Sequence, residues 1–418
     1  MRTRFLIFLT IVLLAEFYSF ILIRSIAKPM ANPWKAIIYT SYIAVTLFTW
    51  TSFILMRSLN WDAMPPMAKN LIIAFTMGLW VAKILAATVM MLDDVRRICM
   101  WVINYIYNPT TPDVTDEIAK SNGISRSTFF KRTALILGGT AVGAFLYGIT
   151  NRYNYKVHRV KLKFANLPAS FKGLKIVQIS DIHSGSFDNE HAVSRGVEKV
   201  MHEEPDIIFF TGDLVNNKAE EIQPYTHLFS QLTAPLGVYS TLGNHDYGDY
   251  VTWPSDDAKR QNLEQLKETH DKMGWRLLMN EHVEIEKGND KIAVIGIENW
   301  GAKAGFPKYG SMSNAYAGLK EKDIPFKVLL SHDPSHWDAE VIKDYQDIDL
   351  TLSGHTHGMQ FGIEIPGLKW SPVKYIYKNW AGLYQKGAQH LYVNRGFGFL
   401  GYPGRLGILP EITVIELA

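Results

Sequence analysis

Gly237-Val238-Tyr239-Ser240-Thr241-Leu242-Gly243-Asn244-His245-Asp246 reads as a short strand that runs straight into an amide, an imidazole and a carboxylate. It is the third of a series. Leu174-Lys175-Ile176-Val177-Gln178-Ile179 is a strand-like run ending in Ser180-Asp181, and Asp206-Ile207-Ile208-Phe209-Phe210 ends at Thr211-Gly212-Asp213. Asn189 to Glu204 reads as a helix between the first two, and a second helical stretch precedes the third. The predicted unit is βαβαβ, and its near-continuous apolar strands are those of a buried sheet. Later strands are expected over Lys291 to Ile297, Phe326 to Leu330, Ile348 to Leu352, Leu391-Tyr392-Val393 and Ile412-Thr413-Val414-Ile415. No internal repeat or low-complexity segment is present.

The polar residues fall at the ends of these runs. Asp181, Asp213 and Asn244 each sit just past the C-terminal end of a strand. So do His332, after Val328-Leu329-Leu330-Ser331, and His355, after Thr351-Leu352-Ser353-Gly354. In open α/β sheets, ligands bind outside the carboxyl ends of the strands. Five strands therefore deliver metal-ligand side chains to one rim. Asp-x-His alone carries almost no information, and Gly-Asp alone is a turn. Gly-Asn-His-Asp and Gly354-His355-Thr356-His357 are more specific, and the order of all of them at strand ends argues for a site. The donors are carboxylates, imidazoles and one amide, with no sulfur, a set that suits Mn, Fe or Zn better than Mg or Cu(I).

Composition splits the chain of 418 residues in two. A formal net charge of +3 is too small to argue for a nucleic-acid partner. The single cysteine, Cys99, excludes an intrachain disulfide and a thiolate metal cage. Residues 1–152 read as an all-α transmembrane bundle with connecting loops. Phe5 to Ile23 has Glu16 as its only charge, Ala36 to Met56 has none, Leu71 to Leu92 has only Lys83, and Thr133 to Ile149 has none. Each approaches the roughly 20 residues that cross a hydrocarbon core, and none shows the polar face of a soluble helix. Four spans and a multi-pass integral membrane protein are expected. No small-residue cleavage site follows the first span, which argues against a signal peptide. Intramembrane charges are functional candidates by default. Glu16 and Lys83 could pair with each other, but the simpler reading is that each faces the bundle interior or a headgroup. The 24–35 and 93–132 loops hold nine Lys or Arg, against four at the N-terminus and in the 57–69 loop. The nine should face the cytoplasm, which places the domain after the fourth span outside. Ser125-Arg126-Ser127-Thr128-Phe129-Phe130-Lys131 is similar to a twin-arginine export signal with Ser127 in place of the second arginine. Asn108-Pro109-Thr110-Thr111-Pro112-Asp113 reads as the start of a loop.

Taken in order, Asp181-x-His183, Gly212-Asp213, Gly243-Asn244-His245-Asp246, His332 and Gly354-His355-x-His357 resemble the calcineurin-like metallophosphoesterase pattern over about residues 155–418. Tyr392-Val393-Asn394-Arg395-Gly396-Phe397-Gly398 and Pro410-Glu411-Ile412 are similar to the membrane-associated bacterial branch of that family. That branch is similar to twin-arginine-exported phosphoesterases and to relatives acting on nucleoside-diphosphate-linked acylated glucosamine. A vertebrate multi-pass protein has a similar layout.

The resemblance implies an α/β metallophosphoesterase domain over 153–418, two mixed β-sheets flanked by helices on a βαβαβ core. It implies two divalent metal ions bridged by Asp213, the first taking Asp181, His183 and His357 and the second Asn244, His332 and His355. A hydroxide bridging the metals would be the nucleophile. His245 would serve the leaving oxygen as general acid, with Asp246 orienting it; the plainer reading of Asp246 is a helix cap or turn residue. The expected activity is hydrolysis of a phosphodiester or pyrophosphate bond, and the multi-pass anchor points to a lipid-linked or envelope substrate. A broad phosphomonoesterase or nuclease is the other enzyme reading, and a non-catalytic membrane scaffold or sensor is a third.

The remaining candidates get plainer readings. His191, His202, His227 and His270 lie on polar helical stretches and are expected in solvent. His336 should begin the helix after His332. Arg395 and Arg405 could bind phosphate but read better as structural ion-pair partners. Trp253-Pro254 and Trp300 to Tyr316 are insertions. The second, rich in Gly and aromatics, could select substrate, dip into headgroups, or simply pack over the sheet edge.

Overall fold

The computed structural model describes residues 2–55, 64–107, 126–303 and 305–418. The chain divides into two compact units, Met1–Tyr147 and Gly148–Ala418.

The first unit is helical: α1 (Arg2–Ala27), α2 (Asn32–Leu55), α3 (Pro66–Tyr107) and α4 (Arg126–Gly148). Its helices turn large apolar side chains outward, among them Leu13, Phe17, Leu47, Ile54 and Ile136, the reverse of a water-soluble bundle. Among the described residues, three segments are long and apolar enough to cross a membrane: Leu9–Ala27, Met67–Tyr107 and Ser127–Asn151. Helix α2 is 24 residues long and falls outside that set.

Glu16 and Lys83 do meet. Lys83 Nζ lies 2.7 Å from Glu16 Oε1 and 3.1 Å from Thr46 Oγ1, and the Tyr42 hydroxyl donates to Glu16 Oε2 at 3.0 Å. The pair thus ties α1, α2 and α3 together where an unpaired charge would be costly.

The described parts of the expected 93–132 loop, 93–107 and 126–132, are helical instead. Helix α3 runs on to Tyr107 and α4 begins at Arg126, so Ser127 to Lys131 of the export-like motif are helical. Arg96 pairs with Asp93 at 2.7 Å and Arg97 with Asp94 at 3.5 Å, both one turn apart, which lets the helix carry these charges past the apolar segment. Arg57, Ser125 and the predicted loop start at Asn108 to Asp113 lie outside the described residues.

The second unit is a sandwich of two six-stranded mixed sheets. Its strands are β1 (Lys156–Leu162), β2 (Lys175–Ile179), β3 (Ile207–Phe210), β4 (Val238–Ser240), β5 (Arg276–Leu277), β6 (Glu281–Lys287), β7 (Asp290–Gly296), β8 (Lys327–Leu330), β9 (Leu350–Ser353), β10 (Ile363–Ile365), β11 (Leu368–Trp370), β12 (Gly382–Lys386), β13 (Gln389–Val393) and β14 (Glu411–Leu417). The sheet orders are β1-β14-β2-β3-β4-β5 and β12-β13-β9-β8-β7-β6, while β10 and β11 form a separate hairpin. Strands β2 to β5 are parallel, as are β7, β8, β9 and β13.

The two-residue period of a strand builds the layers. Ile207 and Phe209 of β3 point between the sheets with Val328 and Leu330 of β8. Ile208 and Phe210 point the other way, against Val193, Val197 and Val200 of helix α5 (Glu190–His202). Ala293, Ile295 and Leu329 line the outer face of the second sheet with Trp337 and Val341. Both faces of both sheets are therefore apolar, which is why the strands read as continuous apolar runs.

His270 corrects the expectation of a solvated side chain. It lies on helix α7 (Asp256–Lys272), which follows the short α6 (Thr226–Phe229), but on the buried face of that polar helix. The ring packs against Phe210 and Trp275, with Nδ1 3.0 Å from Ser240 Oγ. His191, His202 and His227 are exposed as expected.

Burial pushes the His270 imidazole from 6.5 down to about 3. Between those values the unfolded chain binds a proton that the folded chain refuses, so stability falls as pH drops below 6.5. At about pH 5 this costs roughly 2 kcal/mol. We expect His270→Leu to lose less Tm than the wild type between about pH 7.5 and about pH 5, in thermal melts of the full chain in detergent. An equal loss would contradict this account.

Candidate metal centre

Strands β2, β3 and β4 of one sheet and β8 and β9 of the other end side by side, each delivering a motif. All seven expected ligands and His245 are brought to this rim. The ligand atoms of Asp181, His183 and His357 lie within 4.8 Å of one another, and so do those of Asp213, His332 and His355.

The backbone there is unusual. Asp181, His183, Asp213, His355 and His357 all have φ between 49° and 70°, five of the nine left-handed non-glycine residues among those described. Such positions cost about 1–3 kcal/mol each and persist only where the surroundings impose them. Left-handed backbone lets each chain turn sharply off its strand so that the side chain comes back over the rim. Glycine is needed beside them for space. A Cβ on Gly354 would meet Asp181 Oδ2 at 2.2 Å, and one on Gly243 would meet Asp213 Oδ1 at 2.2 Å.

Hydrogen bonds impose these turns. The Asp246 carboxylate accepts from the N–H groups of Asp213 at 2.9 Å, Leu214 at 2.8 Å, Val215 at 3.3 Å and Gly243 at 2.8 Å. Asp246 therefore locks the loops after β3 and β4 together rather than orienting His245, because its oxygens are already taken by four backbone donors. The His245 ring is held instead by the Asn216 carbonyl, 2.7 Å from Nδ1. Asp181 accepts from His355 N–H at 3.0 Å, which joins the two sheets at the rim.

The nitrogens and oxygens left over face one another. His183 Nε2 and His357 Nε2 are 2.9 Å apart, and His357 Nε2 is 3.3 Å from Asp181 Oδ1. His332 Nδ1 donates to the Thr211 carbonyl at 2.7 Å. That leaves Nε2 3.1 Å from Asp213 Oδ2 but not aligned for a hydrogen bond. His355 Nδ1 lies 2.8 Å from Asn244 Oδ1, and the Asn244 amide donates to Tyr250 at 2.8 Å. Buried acceptors this close repel unless a proton or a cation lies among them. Carboxylate, imidazole and amide donors fit divalent cations, and the bond from His332 to a carbonyl is the outer support that metal-bound imidazoles use.

Electrostatics agree with that fit. Burial opposes charge on Asp181 and Asp213, yet His357 beside the first and His332 and His245 beside the second hold both carboxyls below the usual range. Burial lowers the imidazoles of His183 and His355 and keeps their lone pairs available. Burial also works against charge on His332, but Asp213 and Asp181 together outweigh it and hold this ring up to about 10. A proton there occupies the position that a cation would take.

Three supporting residues carry no sequence signal strong enough to have singled them out. The Tyr377 hydroxyl lies 2.9 Å from His355 Nε2 and donates to Asp333 Oδ2 at 3.2 Å. Tyr250 holds the Asn244 amide. Of the three, only Asp333, directly after His332, had a suggestive position. Arg395 is the structural ion-pair partner expected, whereas Arg405 is structural without pairing to a carboxylate. Arg395 binds Glu411 and Glu364, while fully buried Arg405 donates to the carbonyls of Arg395, Gly396 and Gly398. His336 is buried, with Nδ1 2.9 Å from Ser331 Oγ, just before the turn Trp337–Val341. Of the Trp300 to Tyr316 insertion, Phe306 reaches the site and meets the His355 ring edge-on at 4.7 Å. The cavity of about 270 Å³ above these side chains is walled by Phe306, Met359, Val373, Ile376 and Leu400.

A family model described as "Calcineurin-like phosphoesterase" matches residues 174–359, and one described as "Probable Calcineurin-like phosphoesterase, transmembrane domain" matches residues 1–152. Metallophosphoesterase YkuE of Bacillus subtilis (strain 168) is 30% identical over 308 residues, covering 70% of this chain and 98% of that protein. The chain belongs to the calcineurin-like metallophosphoesterases. It is a hydrolase of phosphoric esters with a transmembrane region, and its family uses divalent metals. Phosphodiesterase YaeI of Escherichia coli (strain K12) is 28% identical over 300 residues, covering 70% of this metallophosphoesterase and 99% of the relative. UDP-2,3-diacylglucosamine pyrophosphatase LpxG of Chlamydia muridarum (strain MoPn / Nigg) is 28% identical over 288 residues, covering 57% and 81%.

Tyr377→Phe removes the hydroxyl that steadies His355. Metal titration of the purified protein should show one class of bound cation weakened about 10–100-fold and the other unchanged. Equal affinity for all bound metal would sink the role assigned to Tyr377.

Proposed function

We propose that this metallophosphoesterase uses two divalent cations, of Mn, Fe or Zn, to hydrolyse a phosphodiester or pyrophosphate bond in a lipid-linked envelope substrate. The observation that carries the two-cation reading is the position of Asp213 Oδ2, 3.5 Å from His183 Nε2 of one cluster and 3.1 Å from His332 Nε2 of the other. A carboxylate there can serve both cations and relieve their repulsion. Asp181, His183 and His357 would complete one set, and Asn244, His332 and His355 the other. When bound, the cations supply positive charge for the phosphoryl oxygens and activate water.

The protein's own groups do the rest. His245 Nδ1–H donates to the Asn216 carbonyl, which fixes the ring and leaves Nε2 to carry a proton to the leaving oxygen. Asp246 keeps Asp213 and Asn244 in register through the backbone bonds of the two loops.

The substrate class rests on the membrane unit and on the apolar cavity wall of Phe306, Met359, Val373, Ile376 and Leu400, which suits an acyl-bearing molecule better than a free nucleotide. The substrate named for LpxG, UDP-2,3-diacylglucosamine, is an acyl-bearing molecule of that kind. We place four spans in the first unit, on its four charge-poor stretches, and the catalytic unit outside the cytoplasm, on nine basic residues flanking those stretches on one side against four on the other, with Arg96 and Arg97 on α3 beyond its apolar stretch rather than in a loop.

One assay tests activity and sidedness together. Right-side-out membrane vesicles carrying the protein should hydrolyse impermeant bis-p-nitrophenyl phosphate before lysis when Mn is supplied. His245→Ala should lower kcat by about 10²–10⁴ with metal content intact. Activity appearing only after lysis would reverse the orientation, and none in either case would end the catalytic reading.

A further inference from the structure

The β10–β11 hairpin is built with two unlike faces. Ile363 stands opposite Trp370 and Ile365 opposite Leu368, while Glu364 stands opposite Lys369 between them. Alternation along a strand puts the four apolar residues on one face and the charged pair on the other. The charged face is anchored: Glu364 binds Arg395, with Oε1 2.5 Å from Nη2, and Lys369 Nζ donates to the Ala381 carbonyl at 2.6 Å. The apolar face is exposed, Ile365 by 58% and Leu368 by 48%.

Tyr375 adjoins this face, its hydroxyl accepting from Trp370 Nε1 at 3.5 Å. Among the described residues, the second unit exposes nine large hydrophobic side chains, and six of them lie between Met359 and Ile376. Tyr375 is the most exposed, at 74%, and Met359 and Ile376 also line the metal cavity. A soluble surface scatters such residues singly, and a contiguous cluster marks an interaction site.

The basic residues around it identify the occupant. From Ile365 to Lys378 the chain carries no acidic residue, and Lys374 and Lys378 are exposed on either side of Tyr375, close in sequence to Trp370. Aromatic and apolar tips flanked by lysines match an anionic bilayer surface, where the rings sit at headgroup level and the ammonium groups meet lipid phosphates. The seven residues from Ile149 to Tyr155 join α4 to β1, so the unit that carries this patch follows in sequence directly on a segment long and apolar enough to cross a membrane.

We propose that the hairpin β10–β11 and the turn through Tyr375 and Ile376 form a membrane-docking surface that seats the mouth of the metal cavity on an anionic bilayer. The docking depends on the membrane unit and not on the catalytic reading, so its test measures position rather than turnover. The full chain with Cys99→Ser, reconstituted in vesicles of phosphatidylcholine with phosphatidylglycerol, would carry an environment-sensitive fluorophore at Leu368→Cys or, in a second variant, at Ile365→Cys. Gln261→Cys on the polar helix α7 is the control. Nitroxide-labelled lipid should quench both hairpin sites at least twofold more than the control, and aqueous iodide should quench them less. Quenching by iodide as strong as at Gln261 would show a face open to water and overturn the proposal. Shielding from both quenchers would show a protein partner or second copy on the face, and would overturn it equally.

Discussion

The rim depends on the Asp246 carboxylate and the four backbone N–H groups it accepts. One buried side chain takes three consecutive donors from the loop after β3 and one from the loop after β4. Those donors would otherwise be buried without partners, which is costly in a strand-end loop with no ladder to join. The same bonds hold Asp213 in a left-handed conformation and bring Asn244 and His245 to a fixed place beside it. Burial and the nearby Asp213 carboxylate push Asp246 up to about 7, while its N–H donors favour the charged form.

From that clamp the rest follows in layers. Two sheets with apolar faces on both sides fix the positions of five strand ends. Strained turns at those ends fold carboxylates and imidazoles back over the rim. The strain is held by backbone bonds across loops, from Asp246 on one sheet and from Asp181 to His355 between the sheets. What remains unsatisfied is a set of lone pairs 2.9–3.5 Å apart, the arrangement that cations resolve. The fold concentrates that repulsion at one place, where a cation would relieve it.

The sequence made much of this legible because each message was local. Parallel strands buried on both faces leave continuous apolar runs, and polar residues just past them leave short motifs. Asp181, Asp213, Asn244, His332 and His355 were readable for that reason. What was hidden depended on tertiary contact. His270 sits on a helix of polar composition, and nothing in its neighbours tells which face packs on Phe210 and Trp275. Asp246 follows His245 in sequence, which suggested a ring partner, but its oxygens turn to backbone donors from another strand. Tyr377 and Tyr250 support His355 and Asn244 from loops without a motif. The hairpin at Ile363 is too short to announce itself, and its exposed face appears only once the charged face is seen to be anchored. In the membrane unit, Arg96 and Arg97 looked like the start of a loop because charge ends an apolar run, whereas ion pairs one turn away let α3 continue.

The central claim is that Asp213 joins two cation sites into one centre, and counting metal tests it most directly. Elemental analysis of the purified full-length protein, after saturation and desalting, should give about two divalent ions per chain. Asp213→Asn should fall below one, because both sites lose the charge that offsets their repulsion. A wild-type protein holding one ion or none, or an Asp213→Asn protein that keeps two, would contradict the account.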